Sequence, residues 1–301
     1  MHEKTINERR IPKDVIDIIK PGLGASGIEW KSLNNGWCLP VGQFPTDEYL
    51  LRHDLLSSTG ILVPQVRKVG SNIEVQYLGQ NTLAMLSWQR PVYWQKALEV
   101  SAVLLAFMHS NQEMNVIGQC VAERIEKLKN THAFPAIDIS LQERIISVAA
   151  SASTLIHGDY QTSNLMWFEN NLFVIDILAT GRGWAPYDVA SLLCDLQMKW
   201  LRGERRVWLQ CYLSNLYVNT PTYEDLGLAV IARLTLSNAR YLELANNGLT
   251  RYLPIYYKSA AALEKMVTFL AERPLDNTDT LQQDRLVDYM DKAFGAYASM
   301  T

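Results

Sequence analysis

The chain has 301 residues, which is enough for two average domains or for one enzyme domain with two lobes. With 48% hydrophobic and 20% charged residues it has the composition of a globular protein, which excludes disordered, collagen-like and low-complexity classes. Its 28 basic and 31 acidic residues give a net charge of −3, so there is no general attraction to nucleic acid or to anionic membranes. No apolar run is long enough to cross a bilayer, and the polar start MHEKTINERR is not followed by the apolar core of a signal peptide. We therefore expect a soluble cytoplasmic protein that binds neither nucleic acid nor membrane.

The first eighty residues alternate between short elements and turn residues. Asn35-Gly36 between two apolar runs is a strong signal for a β-hairpin, and Thr46 and Gly60 are suited to begin and end a helix. The elements predicted here are, in chain order, a helix over 12–20, strands over 28–33 and 37–41, a helix over 46–58, and strands over 63–69 and 73–78. Together they predict a small antiparallel sheet with one helix packed against it.

From residue 80 onward the apolar periodicity is mostly helical, with one compact region of strands. The predicted elements are helices over 94–110, 116–129 and 141–151, a strand over 154–156, a hairpin of strands over 165–168 and 172–177, and helices from residue 186 to the end. The sequence therefore predicts an α+β protein in which a small sheet-plus-helix lobe, residues 1–79, is joined to a large and mostly helical lobe, residues 80–301.

One stretch in the second lobe carries residues suited to phosphoryl transfer, which needs a carboxylate near the attacking hydroxyl and oxygen ligands for a metal. Asp159 lies on a tight loop after a strand, where Gly158 permits an unusual backbone conformation. Asn164 follows on the same loop and can offer an amide oxygen to Mg²⁺. Asp176 ends the second strand of the next hairpin, so we expect its carboxylate beside Asn164. Two such ligands, completed by phosphate oxygens and water, are typical of Mg²⁺ sites.

Three motifs of this lobe resemble those of the aminoglycoside phosphotransferase and choline kinase superfamily, whose members have a two-lobed protein-kinase-like fold. The motifs are HGDYQTSN at 157–164, VID at 174–176 and YDVA at 187–190. The resemblance implies that Asp159 is the catalytic aspartate and that Asn164 and Asp176 bind the metal. It also implies that His157 positions the catalytic loop, and that Asp188 is a buried acid that holds this loop through backbone hydrogen bonds.

The same resemblance implies a nucleotide-binding first lobe, in which the family usually has a phosphate-binding lysine on the strand before the helix. Here that strand, 37–41, contains no basic residue. Lys31 on the preceding strand is the nearest candidate, and we expect it to pair with Glu48 of the following helix. An exposed charge on the face of the strand is the alternative for Lys31.

The purine edge of the nucleotide is expected at a hinge after the last strand of this lobe. Backbone groups near Gln76 and Leu78 would bind it there, as the resemblance implies. The glycine-rich segment 22–27 is either a loop that covers the phosphates or a linker between a helix and a strand.

The function expected is transfer of the γ-phosphate of ATP or GTP, with Mg²⁺, to a hydroxyl of a small molecule such as an aminoglycoside-like antibiotic, a choline-like amino alcohol or homoserine. A kinase-like protein that binds nucleotide without turnover is the first alternative, which the missing lysine favours. A Ser/Thr protein kinase is the second, against which the short interval between Asp176 and Asp188 argues.

Specificity for the acceptor is expected from the C-terminal helices. Their aromatic residues either hold a cationic amine or belong to the core. Four acidic residues either bind amino groups of a substrate or lie on solvated helix faces. These are Asp195, Glu224, Asp225 and Glu243.

Overall fold

The computed structural model of the protein describes residues 29–33, 35–111, 121–128, 137–151, 154–217, 221–272 and 281–294. The predicted helix over 12–20 and the glycine-rich segment 22–27 lie outside these residues. The strands are β1 (Glu29–Ser32), β2 (Trp37–Val41), β3 (Val66–Val69), β4 (Asn72–Gln76), β5 (Thr154–Ile156), β6 (Leu165–Phe168), β7 (Asn171–Val174) and β8 (Gly181–Gly183). The helices are α1 (Thr46–Ser58), α2 (Leu83–Gln89), α3 (Trp94–His109), α4 (Val121–Leu128), α5 (Ile139–Ala150), α6 (Ala185–Leu193), α7 (Glu204–Ser214), α8 (Tyr223–Asn246), α9 (Leu253–Glu272) and α10 (Leu281–Ala293).

The first four strands form one antiparallel sheet in the order β1-β2-β4-β3. Helix α1 contributes Tyr49 and Leu56 to the same core as Ile73 and Val75 of β4. The predicted antiparallel sheet with one helix against it is therefore confirmed, and β2 and α1 have the predicted bounds. Thr46 is not the cap of α1, however, because it is the first helical residue and makes no capping bond to the helix.

The helical part is built around α8, which has 24 residues and packs against α6 and α9. Its start is fixed by a capping box, in which Asp225 donates its N–H to the Thr222 hydroxyl and Thr222 donates its N–H to the Asp225 carboxylate. Apolar side chains such as Leu228, Ile231 and Leu234 are almost completely buried on this helix. Each side chain of this size stabilises the fold by about 1.5–3 kcal/mol when it leaves water.

Two small antiparallel sheets, β5–β8 and β6–β7, lie between the helices. Strand β8 was not predicted, because two of its three residues are glycines, which have low strand propensity. The β6–β7 hairpin turns at Glu169 and Asn170, which both have positive φ as a two-residue hairpin requires. Strand β7 ends at Val174 and not at residue 177 as predicted, because Asp176 has a φ of 56° and leaves the extended conformation. Within the described ranges no helix combines the length and apolar character needed to cross a membrane.

A buried ion pair ties the last helix to the body of the helical lobe. Arg205 of α7 donates to the Asp291 carboxylate of α10 at 2.7 Å and to the backbone oxygen of Leu193 at 2.8 Å. The same carboxylate accepts the N–H of Gly203 at 2.9 Å. Because the Arg205 side chain is only 5% exposed, its charge depends on Asp291 for compensation.

We expect Asp291→Ala to lower the free energy of unfolding by about 3 kcal/mol, since it leaves the buried Arg205 charge without its partner. Asp288→Ala is the matched control on the same helix, because Asp288 pairs with Arg206 at the surface and should cost less than about 1 kcal/mol. Urea unfolding of both variants tests this, and equal losses would contradict the importance of the buried pair.

Candidate active site

The second residue of the loop between β5 and β6, Gly158, has a backbone conformation and surroundings that only glycine fits. Gly158 has a φ of +81°, and a Cβ atom there would lie 2.6 Å from the backbone oxygen of Ala179. The tight approach brings the loop against the segment that follows Asp176. Asp159 comes directly after this turn, and its side chain is 29% exposed, so it is reachable from solvent.

The beginning of the loop is held by Asp188 of α6, which is completely buried. Its carboxylate accepts the N–H of His157 at 2.6 Å and the N–H of Gly158 at 2.9 Å. His157 is equally buried, and its ring contacts the Ile175 carbonyl oxygen through Nε2 at 3.0 Å and the Asp159 N–H through Nδ1 at 3.3 Å. These two contacts fix the orientation of the ring between the Ile175 carbonyl and the backbone of the loop.

The end of the loop is held by a second carboxylate. Asp195 lies just after α6 and accepts both the N–H and the hydroxyl of Thr162, at 2.8 Å and 2.5 Å. Its other oxygen accepts the N–H of Gln197 at 2.9 Å. Burial raises the pKa of Asp195, although these hydrogen bonds oppose the rise. Asp195 therefore holds the loop, and because it is buried it does not lie on a solvated helix face, which was one of the two alternatives for it.

The carboxylate of Asp159 has partners on both of its oxygens. Oδ2 accepts hydrogen bonds from the side-chain amides of Gln161 at 3.0 Å and Asn164 at 3.1 Å. Oδ1 accepts a bond from Arg233 of α8 at 2.8 Å. Arg233 also donates to the Gln161 side-chain oxygen at 3.1 Å and to the Tyr187 hydroxyl at 3.4 Å.

Asn164 and Asp176 lie side by side, because the N–H of Ile175 donates to the backbone oxygen of Asn164 at 2.9 Å. The amide nitrogen of Asn164 donates to Asp159, which leaves its amide oxygen with one weak contact, at 3.5 Å from the Ser163 hydroxyl. In the part of the chain that the structure describes, no donor contacts the Asp176 carboxylate. Two oxygen-type side chains are therefore available together at this place.

Asp176 is exposed to solvent, although many protein atoms surround its carboxylate. Desolvation in this position, together with the negative charge of Asp159, raises the pKa of Asp176 from 3.8 to about 6, against an opposing effect of His157. Its left-handed backbone is rare for a residue with a side chain and is typical of functional sites. A carboxylate without donors beside a second carboxylate is stabilised by a bound cation.

The structure does not pair Lys31 with Glu48, and this expectation was wrong. Lys31 is exposed on β1, whereas Glu48 accepts a bond from Arg52 at 2.7 Å, one turn further along α1. Arg52 is buried and also donates to the backbone oxygen of Thr180. The physical reason is that Glu48 and Arg52 are four residues apart on α1 and therefore share one face of this helix. They meet without any contribution from β1. A phosphate-binding role for Lys31 stays a prediction.

The predicted hinge follows β4 directly. Gln76 is the last residue of β4 and donates its N–H to the Gln65 backbone oxygen at 2.8 Å. Tyr77 donates its N–H to the Gly36 backbone oxygen at 2.9 Å. Leu78 has a buried side chain, and its backbone N–H has no hydrogen-bond partner among the described residues.

Three residues of the site were not predicted in these positions: Arg233, Arg52 and the loop-holding Asp195. Arg233 lies 74 residues after Asp159 on a helix with an otherwise apolar face, so no local spacing points to it. Arg52 could have been found from its spacing of four residues from Glu48, which is a common ion-pair distance on a helix.

Comparison with known proteins identifies the fold. The model of the phosphotransferase enzyme family (APH) matches residues 116–226, which include all three motifs. No curated protein matches the chain significantly.

Many solved structures are similar to the chain, and three of them illustrate the likeness. An aminoglycoside-3′-phosphotransferase of type VIII has a TM-score of 0.50 and 14% identity, over 70% of this chain and 94% of that chain. A choline/ethanolamine kinase family protein from Mesorhizobium loti has a TM-score of 0.56 and 13% identity, over 93% and 97%. The choline kinase LicA from Streptococcus pneumoniae has a TM-score of 0.51 and 13% identity, over 88% and 89%. The predicted kinase-like α+β fold and the resemblance to this superfamily are confirmed.

The raised pKa of Asp176 predicts a pH dependence of stability in EDTA. Because the folded chain holds this proton more tightly than the unfolded chain, the group stabilises the fold below pH 3.8 and this contribution is lost as the pH rises through about 6. We therefore expect Asp176→Asn to gain stability over the wild type as the pH increases from 4.5 to 7.5, measured by urea unfolding. Glu143→Gln, an exposed change on α5, is the control. A constant difference between wild type and Asp176→Asn would contradict the assignment.

The contacts of Arg52 predict that it stabilises the chain more than Lys31 does. Arg52→Met removes charge-assisted bonds to Glu48 and Thr180, and we expect a loss of about 1.5–3 kcal/mol in the free energy of unfolding. Lys31→Met, on an exposed strand face, should change it by less than about 0.5 kcal/mol. Chemical unfolding of the two variants compares them, and a larger loss for Lys31→Met would show that its charge has a structural partner.

Proposed function

We propose that the protein is a small-molecule kinase, which transfers the γ-phosphoryl group of ATP or GTP to a hydroxyl group of its acceptor. The observation that carries the proposal is the loop from His157 to Asn164. Two buried carboxylates hold it at both ends, and it presents Asp159 at the cleft beside Asn164 and Asp176. Phosphoryl transfer depends mainly on positioning and on charge, and a rigid loop with these side chains supplies both.

Asp159 would act on the acceptor. Its carboxylate accepts the hydrogen bond of the acceptor hydroxyl and orients the oxygen toward the γ-phosphorus. As the new bond between this oxygen and the phosphorus forms, the bond between the phosphorus and the β–γ bridging oxygen breaks and the nucleoside diphosphate leaves. The hydroxyl proton passes to Asp159 late in the transfer.

The fold family implies Mg²⁺, and the side chains present fit it. Asn164 has an amide oxygen with one weak contact, and Asp176 has a carboxylate with a raised pKa and no donor among the described residues. These two would hold the ion, and phosphate oxygens and water would complete its octahedron. When bound, the ion neutralises phosphate charge.

The nucleotide would bind between the first sheet and this loop. The N–H of Leu78, which has no partner among the described residues, would bind the purine edge, and the hinge would lie beside Gln76 at the end of β4. Residues 1–79 would then form the nucleotide-binding lobe, and residues 80–301 the catalytic and acceptor-binding lobe.

A second candidate function is binding of nucleotide without turnover. It is favoured by the absence of a basic residue from β2, together with the exposed position of Lys31. The two functions differ in one measurable property, which is release of nucleoside diphosphate in the presence of an acceptor.

The kinase proposal predicts that Asp159→Asn keeps its affinity for the magnesium nucleotide but loses about 10²–10⁴-fold in turnover, because it cannot accept the hydroxyl proton. Calorimetry measures nucleotide binding, and release of ADP or GDP measures turnover. Asp54→Asn, an exposed change on α1, is the control. Full turnover in a folded Asp159→Asn variant would remove Asp159 from the mechanism, and binding without any turnover in the wild type would favour the second function.

A further inference from the structure

A fixed positive charge lies on the acceptor side of Asp159. Arg233 approaches Oδ1, whereas Asn164, a predicted metal ligand, approaches Oδ2, so the guanidinium lies on the other side of the carboxylate from the metal position. Its side chain is 12% exposed, so it forms part of the wall of the cleft. Three of its five N–H groups donate to Asp159, Tyr187 and Gln161, which leaves two for a ligand within the described part of the chain.

A second guanidinium is close by. Arg124 of α4 donates to the Tyr187 hydroxyl at 3.3 Å, and Arg233 donates to the same oxygen at 3.4 Å. Because both nitrogens contact one oxygen, they lie within about 7 Å of each other. Two guanidinium groups therefore lie close together on the same side of Asp159.

The four acidic residues that the sequence offered as partners of a cationic acceptor have other partners. Asp195 is buried and bonded to the catalytic loop, and Asp225 caps α8. Glu224 is paired with Arg144, and Glu243 is paired with Arg240 at 2.7 Å. None of these four carboxylates is therefore available to balance an amine without breaking a bond that the fold uses.

We infer that the acceptor is an alcohol that carries an oxyanion, a carboxylate or a phosphate, and that Arg233 binds this group while Asp159 accepts the hydroxyl. The inference rests on the proposed kinase function and narrows its acceptor class. A planar guanidinium with two unused N–H groups suits either oxyanion. The neighbouring Asp159 fixes the distance between the anion and the reacting hydroxyl, so the acceptor has the two groups close together. A cationic amino alcohol in the same place meets like charge.

The test uses four alcohols of one carbon skeleton that differ in charge: glycerate, glycerol 3-phosphate, glycerol and 3-aminopropane-1,2-diol. With the full chain and magnesium ATP or GTP, we expect kcat/KM for at least one of the two anions to exceed that for glycerol and for the amine about tenfold or more. The ratio between glycerate and glycerol 3-phosphate tells which oxyanion is preferred. Equal or better turnover of the amine would overturn the inference and leave the kinase proposal intact.

If none of the four is phosphorylated, equilibrium binding to the complex with magnesium ADP decides. Tighter binding of the anions to the wild type than to Arg233→Met supports the oxyanion site. Together with the absence of phosphorylation, that result contradicts the kinase proposal and not the oxyanion site. Equal binding to both proteins, or no binding of any anion, overturns the oxyanion site.

Variants separate binding of the acceptor from support of Asp159. Arg233→Met should raise the KM for the anion at least about tenfold and leave the KM for nucleotide within about twofold, and Arg233→Lys should recover part of the loss. Arg240→Met, two turns further along α8, is the matched control. A fall in kcat with an unchanged KM for the anion would show that Arg233 only positions Asp159, which overturns the inference. Should Arg233→Met not fold, Arg233→Gln in the same assay decides.

Discussion

The position of the loop from His157 to Asn164 depends on one buried carboxylate, that of Asp188. It accepts the N–H groups of His157 and Gly158, and without these donors a charge at this depth would cost several kcal/mol. The loop and helix α6 therefore stabilise each other, because the buried carboxylate on α6 and the buried N–H groups of the loop satisfy one another. Asp159 follows the tight turn at Gly158, so its direction follows from this bond. His109 of α3 reaches the same carboxylate at 3.5 Å and connects the loop to a further helix.

A second carboxylate from the same stretch of chain completes the support. Asp188 holds the beginning of the loop, and Asp195, seven residues further along the chain, holds the loop at Thr162. Asp159 therefore lies between two fixed points. Both acids are satisfied by backbone N–H groups and a hydroxyl and not by cations. The arginines nearby bind elsewhere: Arg233 donates to Asp159, and Arg52 donates to the backbone oxygen of Thr180 in the segment after Asp176. Rigid support of this kind is what a reaction that relies on positioning requires.

Local signals explain what could be predicted from the sequence. Strand β2 and helix α1 had the predicted bounds because turn residues and apolar spacing mark their ends. Asn164 and Asp176 could be predicted as neighbours because a hairpin returns the chain between them, and the structure pairs Asn164 with Ile175 in that register. Arg233 could not be predicted, because its partner is 74 residues away and only the packing of α8 against α6 brings them together. Strand β8 was missed because its pairing with β5, and not its own residues, makes it a strand.

Under our proposal, the positions of the arginines, more than the fold, set the charge preference of the site. On the nucleotide side β2 has no basic residue, and the buried Arg52 is used to hold α1 against the segment after Asp176. On the acceptor side Arg233 neutralises Asp159 before any substrate arrives. Under our proposal, the N–H groups of Arg233 that Asp159, Tyr187 and Gln161 do not use would bind the oxyanion of an acceptor while its hydroxyl takes over one of the contacts of Asp159. Because a kinase-like fold leaves the choice of acceptor to individual side chains, we propose that Arg233 on α8, and not the fold, favours an anionic acceptor here.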